Sequence, residues 1–199
     1  GEVVYSLDDQ KHLWRAEGTG IADVTPDDAG TWKSVEALSV FVANLYILDG
    51  TTGQVWKHES FPGTAFQRAV AYLTDPIPTG IGRGLAIDQD IWIVTTQGEI
   101  LRFRRLTTSF TASRVDFTPR WIGAPLKPTA VQAIDIQRAI YFLDAPNKVV
   151  VQMSRDGGEL ARYPLPSNLP EPSAFYVSEG LRTIYSIHGS KVVATELRA

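Results

Sequence analysis

The residues of this chain whose type and spacing could do chemistry are carboxylates. Asp8, Asp49 and Asp144 each stand three residues after an aromatic residue inside an apolar run, and Thr95 and His188 hold the same place in two further runs. Asp88 and Asp135 close the apolar runs that precede two of them. Gathered at one end of a fold, Asp88, Asp135 and Asp144 would offer oxygen ligands to a hard divalent cation, which could polarise a carbonyl or activate water. The competing chemistry is local. An aspartate that ends a strand accepts backbone N–H groups from the turn behind it. Regular recurrence, with Thr95 as a substitute, fits turn capping better than a metal ring. Asp88-Gln89-Asp90 is only a fragment of a calcium-loop pattern.

Other reactive residues are sparse. There is no cysteine, which removes disulfides, thiolate ligands and cysteine nucleophiles. His12, His58 and His188 lie far apart, and neither HExxH nor GxSxG occurs. His12 and His58 are expected on solvated strand ends. Gly80-Ile81-Gly82-Arg83-Gly84 lacks GxGxxG spacing and precedes a strand, so it is read as a loop with Arg83 as an anion contact at a channel mouth. Arg102, Arg104 and Arg105, with Phe103, Phe110 and Trp121 nearby, could grip RNA or an acidic partner. A net charge of −3 argues against a nucleic-acid partner, and alternation along a strand would place these arginines in solvent.

What positions these residues is a repeat. Tyr5, Tyr46, Trp92, Tyr141 and Tyr185 sit in VVYSLD, NLYILD, DIWIVT, AIYFLD and TIYSIH, at spacings of 41, 46, 49 and 44 residues. Each run is followed by a Gly-, Pro-, Asn-, Asp- or Thr-containing turn and a second apolar strand. Four are preceded by another strand, at 38–42, 84–88, 131–135 and 173–177. Periods of this length made only of short strands predict propeller blades. Nearly unbroken apolar strands fit sheets that are covered on both faces. The expected fold is all-β: one β-propeller domain over residues 1–199, of antiparallel four-stranded blades. Five units are present, so the ring is five-bladed, or six-bladed with one blade incomplete or missing. Residues 64–73, TAFQRAVAYL, fit a helix by spacing and an outer strand by repeat position.

The units at 84–103 and 130–160 resemble NHL-type propeller repeats. The matching positions are Ala86-Ile87-Asp88 and Ile134-Asp135, then Trp92 and Tyr141, Asp144, and Asp156-Gly157. The likeness is good for the second to fourth units and loose for the first and fifth. It implies a propeller that binds protein or nucleic acid, in some members as an extracytoplasmic module of a membrane-tethered signalling protein. Related propellers include lactonases and lyases, so the resemblance also implies a rival, a metal-dependent enzyme using Asp88, Asp135 and Asp144 at the central channel.

The longest connections run from each outer strand to the next inner strand. Trp32, Lys33, Arg120 and Trp121 stand in them, and Trp and Arg dominate recognition hot spots. With Arg83 they form the expected binding set, for a protein or small ligand at the loop face. Trp32 and Trp121 could instead plug gaps between blades. No cofactor is expected. No signal peptide is visible, and the longest apolar stretch, 35–48, is too short for the roughly 20 residues of a membrane span. No membrane insertion is expected.

Overall fold

The computed structural model describes residues 3–60, 65–105, 110–134 and 139–197. They form five antiparallel sheets arranged as the blades of a propeller. Blade one holds β1 (Val3–Leu7), β2 (Leu13–Glu17) and β3 (Gly20–Asp23). Blade two holds β4 (Val35–Phe41), β5 (Asn44–Asp49), β6 (Gln54–His58) and β7 (Val70–Ala71). Blade three holds β8 (Gly82–Ile87), β9 (Asp90–Thr95), β10 (Ile100–Arg105) and β11 (Ala112–Val115). Blade four holds β12 (Ala130–Ile134), β13 (Ala139–Asp144), β14 (Val149–Ser154) and β15 (Glu159–Pro164). Blade five holds β16 (Ala174–Ser178), β17 (Thr183–His188) and β18 (Lys191–Glu196). The segment that fits both a helix and a strand resolves into the strand. Its Val70 and Ala71 pair with Lys57 and Trp56, while Thr64 lies outside the described residues.

The aromatic residue of each repeat lies on the second strand of its sheet, or on the first of blade one's three. Tyr46, Trp92 and Tyr141 are buried, and each faces the following blade. Tyr46 packs into the core between blades two and three, Trp92 into that between three and four, and Tyr141 into that between four and five. Tyr5 follows the same rule toward blade two. β9 and β13 are buried at every position, because sheets cover them on both sides. Tyr185 faces away from blade four and is half-buried. It shares its face with Tyr176, Ile187 and Val192, which are 51%, 40% and 68% exposed. On blade one, Val4 and Ile21, at 60% and 74%, form the matching exposed face. The four hydrophobic cores fall between consecutive blades, and none among the described residues joins blade five to blade one.

The connections between blades act as straps. The chain leaving β7 forms a parallel bridge from Leu73 to Ala112 of the next blade's outer strand, and the chain leaving β11 bridges Arg120 to Gly158. Close approach requires glycine at Gly53, in the turn after β5. Its φ is +67°, and a Cβ there would lie 1.8 Å from the Ile77 carbonyl oxygen.

Candidate functional site

The strand-ending aspartates are turn caps, and they also hold the straps. Asp49 accepts the backbone N–H groups of Lys33 (3.0 Å) and Ser34 (3.1 Å) in the incoming strap, and that of Thr51 (3.0 Å) in its own turn. Asp144 accepts Lys127 N–H from the strap at 2.9 Å, and Asn147 N–H and Nδ2 at 3.1 and 2.8 Å. Thr95 Oγ1 accepts Gln97 and Glu99 N–H. His188 reverses the polarity, with Nδ1 donating to the Pro170 carbonyl at 2.7 Å. Burial opposes ionisation of Asp49, yet the backbone donors hold its carboxyl below the usual range.

The structure does not bring Asp88 and Asp144 together. Asp144 ends the second strand of blade four, whereas Asp88 sits in the first turn of blade three, at the opposite end of a sheet. Asp135 lies outside the described residues. Asp88 is buried and occupied. It accepts Asp90 N–H at 2.7 Å, Trp92 Nε1 at 3.3 Å and Arg155 Nη2 at 2.5 Å. Burial raises its pKa despite these donors. Among the described residues no three His, Asp or Glu side chains are placed to share a metal ion.

The five expected binding residues are dispersed. Trp32 takes the gap-plugging place: it is fully buried in the core between blades one and two, where its Nε1 donates to His58 Nε2 at 3.0 Å. His58 is likewise buried rather than solvated. Trp121 is partly buried against the core between blades three and four. Arg120 is exposed, but its guanidinium is engaged by Asp156, at 2.7 Å from Oδ2 and 2.8 Å from the carbonyl. Lys33 is exposed on the strap held by Asp49. Arg83 is exposed on the innermost strand at the register shift between Gly82 and Gly84. Lys33 and Arg120 lie at opposite ends of the blades, since one strap is fixed at a second-to-third strand turn and the other at a third-to-fourth turn.

A recess lies elsewhere, between blades two and three, where the first turns of both blades meet. It has a volume of about 300 Å³, at the low end for small-molecule sites. Its aromatic lining is Tyr46 from β5 and Tyr72 just after β7, with ring centroids 5.4 Å apart. Burial raises both phenol pKa values, so the hydroxyls stay protonated. Lys57, directly opposite Tyr46 on β6, places its ammonium 5.5 Å from the Tyr72 ring and 2.7 Å from Glu59. Arg105, at the end of β10, stands exposed at the rim. A second recess of about 590 Å³ continues from Lys57 toward Arg68 and Phe110.

Beneath the rim, Asp90 receives Arg102 through Nε at 2.7 Å and through Nη2, and Arg104 through Nε at 3.0 Å. Burial raises its pKa, but the Arg104 and Arg102 hydrogen bonds outweigh this and keep it ionised. Arg102 also lies 4.9 Å from the centre of the Trp92 ring, which adds cation–π attraction. Both carboxylates at the recess are therefore committed to charge pairing, and the phenols to their protons. The arrangement is suited to holding a ligand. Sequence reasoning missed this recess because its walls come from six strands of two blades, their first turns and a strap. The available signals were the RFRR run and the Lys57 position beside an anchor.

No family model matches the chain, and no curated protein matches it in sequence. Its fold is shared by solved structures of low sequence identity. A streptogramin B lyase aligns with a TM-score of 0.51 at 15% identity, over 99% of this chain and 62% of that one. An auxiliary nutrient binding protein from Bacteroides thetaiotaomicron aligns at 0.61 and 10%, over 96% and 58%. The virginiamycin B lyase of Staphylococcus aureus gives 0.53 and 13%, over 96% and 68%. The chain thus spans between about half and two thirds of these proteins, and the likeness concerns the fold. No described helix is long and apolar enough to cross a membrane.

Proposed function

We propose that residues 1–199 act as one non-catalytic recognition propeller with NHL-like repeats, which binds a small ligand in the recess between blades two and three. It would serve as the binding or sensor module of a larger signalling or cell-surface protein. The observation that carries this reading is the recess itself. It combines two buried neutral phenols, a paired lysine and a rim arginine over carboxylates already neutralised by arginine. Similarity in fold to nutrient-binding proteins fits the reading. The lyases among the similar folds favour the enzymatic rival less, because Asp88 and Asp144 stand at opposite ends of their sheets with their oxygens occupied.

A fragment screen by heteronuclear NMR tests the reading. Fragments of mixed charge should shift the amides of residues 41–46, 57, 72 and 87–91 together, and Tyr72→Phe should alter the affinities. Fragments that bind only elsewhere would refute it. For the rival, calcium, magnesium or manganese should leave the melting temperature unchanged, since a tight metal site raises it by mass action. A rise reversed by chelator would favour the enzyme.

A further inference from the structure

Building on the reading of the recess as a ligand site, we propose that its ligand is an organic anion, a flat or ring-shaped apolar body carrying a carboxylate or phosphate that Arg105 receives. The charge balance around the recess is opposite to that of the chain. Net charge overall is −3; at the recess Lys57 and Arg105 line it with Asp88 and Asp90, and the ion-pair partners of these lining groups, Arg102, Arg104 and Arg155 against Glu59, leave the surroundings positive. Most of those cations are neutralised in place. Arg102 and Arg104 share Asp90, Arg155 meets Asp88, and Lys57 meets Glu59.

Arg105 differs from them. Among the described residues no carboxylate lies within ion-pair distance of it, although its charge reaches Glu59, and its guanidinium lies 5.9 Å from the centre of the Phe110 ring. It stands in the lining of the recess that also holds Tyr46 and Tyr72, and not on a remote surface. A guanidinium presents a planar fork of donors that matches carboxylate and phosphate. The Tyr46–Tyr72 pair and Ile87 and Ile91 below it offer apolar surface to a ring. One end of the site is therefore cationic and the other apolar, as a ring-bearing anion requires.

The test is a calorimetric and NMR titration of the whole chain with benzoate, phenyl phosphate, benzyl alcohol and inorganic phosphate. Benzoate or phenyl phosphate should bind at the recess amides, and the tighter of the two identifies the anionic group. Arg105→Gln should weaken that binding tenfold or more, and Arg105→Lys should recover part of it. Benzyl alcohol should bind weakly to both forms. Equal binding of benzyl alcohol and benzoate, insensitive to Arg105→Gln, would overturn the anion while leaving the recess as a ligand site. Inorganic phosphate binding as tightly as phenyl phosphate would overturn the ring-bearing body. If all four are silent while some neutral or cationic fragment binds the recess, the anion proposal falls alone. If every fragment is silent there, the underlying reading falls with it.

Discussion

Replacing His58 by glutamine should remove a defined part of the protein's acid sensitivity. His58 is fully buried, and both ring nitrogens are used in the neutral form. Nδ1–H donates to the Gln67 carbonyl at 2.8 Å, and Nε2 accepts Trp32 Nε1–H at 3.0 Å. Protonating Nε2 would set two N–H donors against each other in a dry core. Burial lowers the pKa below its ordinary 6.5, although the Gln67 carbonyl and Asp28, whose carboxylate is 3.7 Å away, pull it back up. The sign follows from linkage. Below pH 6.5 the unfolded chain takes up a proton that the folded one refuses, so stability is full above that value and falls as pH falls toward the depressed folded pKa. The limiting slope is about 1.4 kcal/mol per pH unit for one group. Urea unfolding of wild type and His58→Gln across this range, plotted as the difference between the two, isolates His58 from the carboxylates common to both. The difference should be flat above pH 7 or so and should move against the wild type as acid is added. A flat difference throughout, or a wild type that gains relative stability in acid, would refute the assigned hydrogen bonds.

Gly53→Ala should lose about 2 kcal/mol or more in the same assay, because the left-handed backbone and the Ile77 carbonyl both exclude a Cβ. The turn between β4 and β5 places Val42 and Ala43 at φ +47° and +64°, a conformation suited to Asn-Gly. The double replacement Val42→Asn, Ala43→Gly should therefore stabilise the fold by about 1 kcal/mol, read as a higher urea midpoint. Asp90→Asn should cost about 3 kcal/mol, since it leaves the buried Arg102 without its anion, whereas the exposed Arg104 can turn to water. A cost under about 0.5 kcal/mol would mean that the arginines simply turn to solvent.

The blade architecture was legible because its signal is repeated and local. One aromatic per repeat sits inside an apolar run and is followed three residues later by a polar residue, aspartate in three repeats, at the turn. Each of these features is contained in a dozen residues, and the hydrogen bonds of Asp49 and Asp144 to their turns are of the kind such a pattern implies. The outer strands were less legible. β7 is two exposed residues and β3 four, so neither has an apolar period to read. The sites were least legible. Trp32 looks like a displayed loop residue until its partner His58, 26 positions on, folds against it. Tyr46, Tyr72 and Arg105 share a recess only because consecutive blades stack, and no spacing within one repeat encodes that meeting.

The one-sided burial of the terminal sheets carries a consequence for how the molecule opens. In a stack of repeats, each unit's persistence depends on its neighbours. Among the described residues, blades two to four share cores with two neighbours apiece, while blades one and five share a core with one. Amide exchange should therefore be graded along the chain, quickest in β1–β3 and β16–β18 and slowest near Trp92. Opening would then spread inward from both extremities, and the contacts around Trp92 would be the last to part.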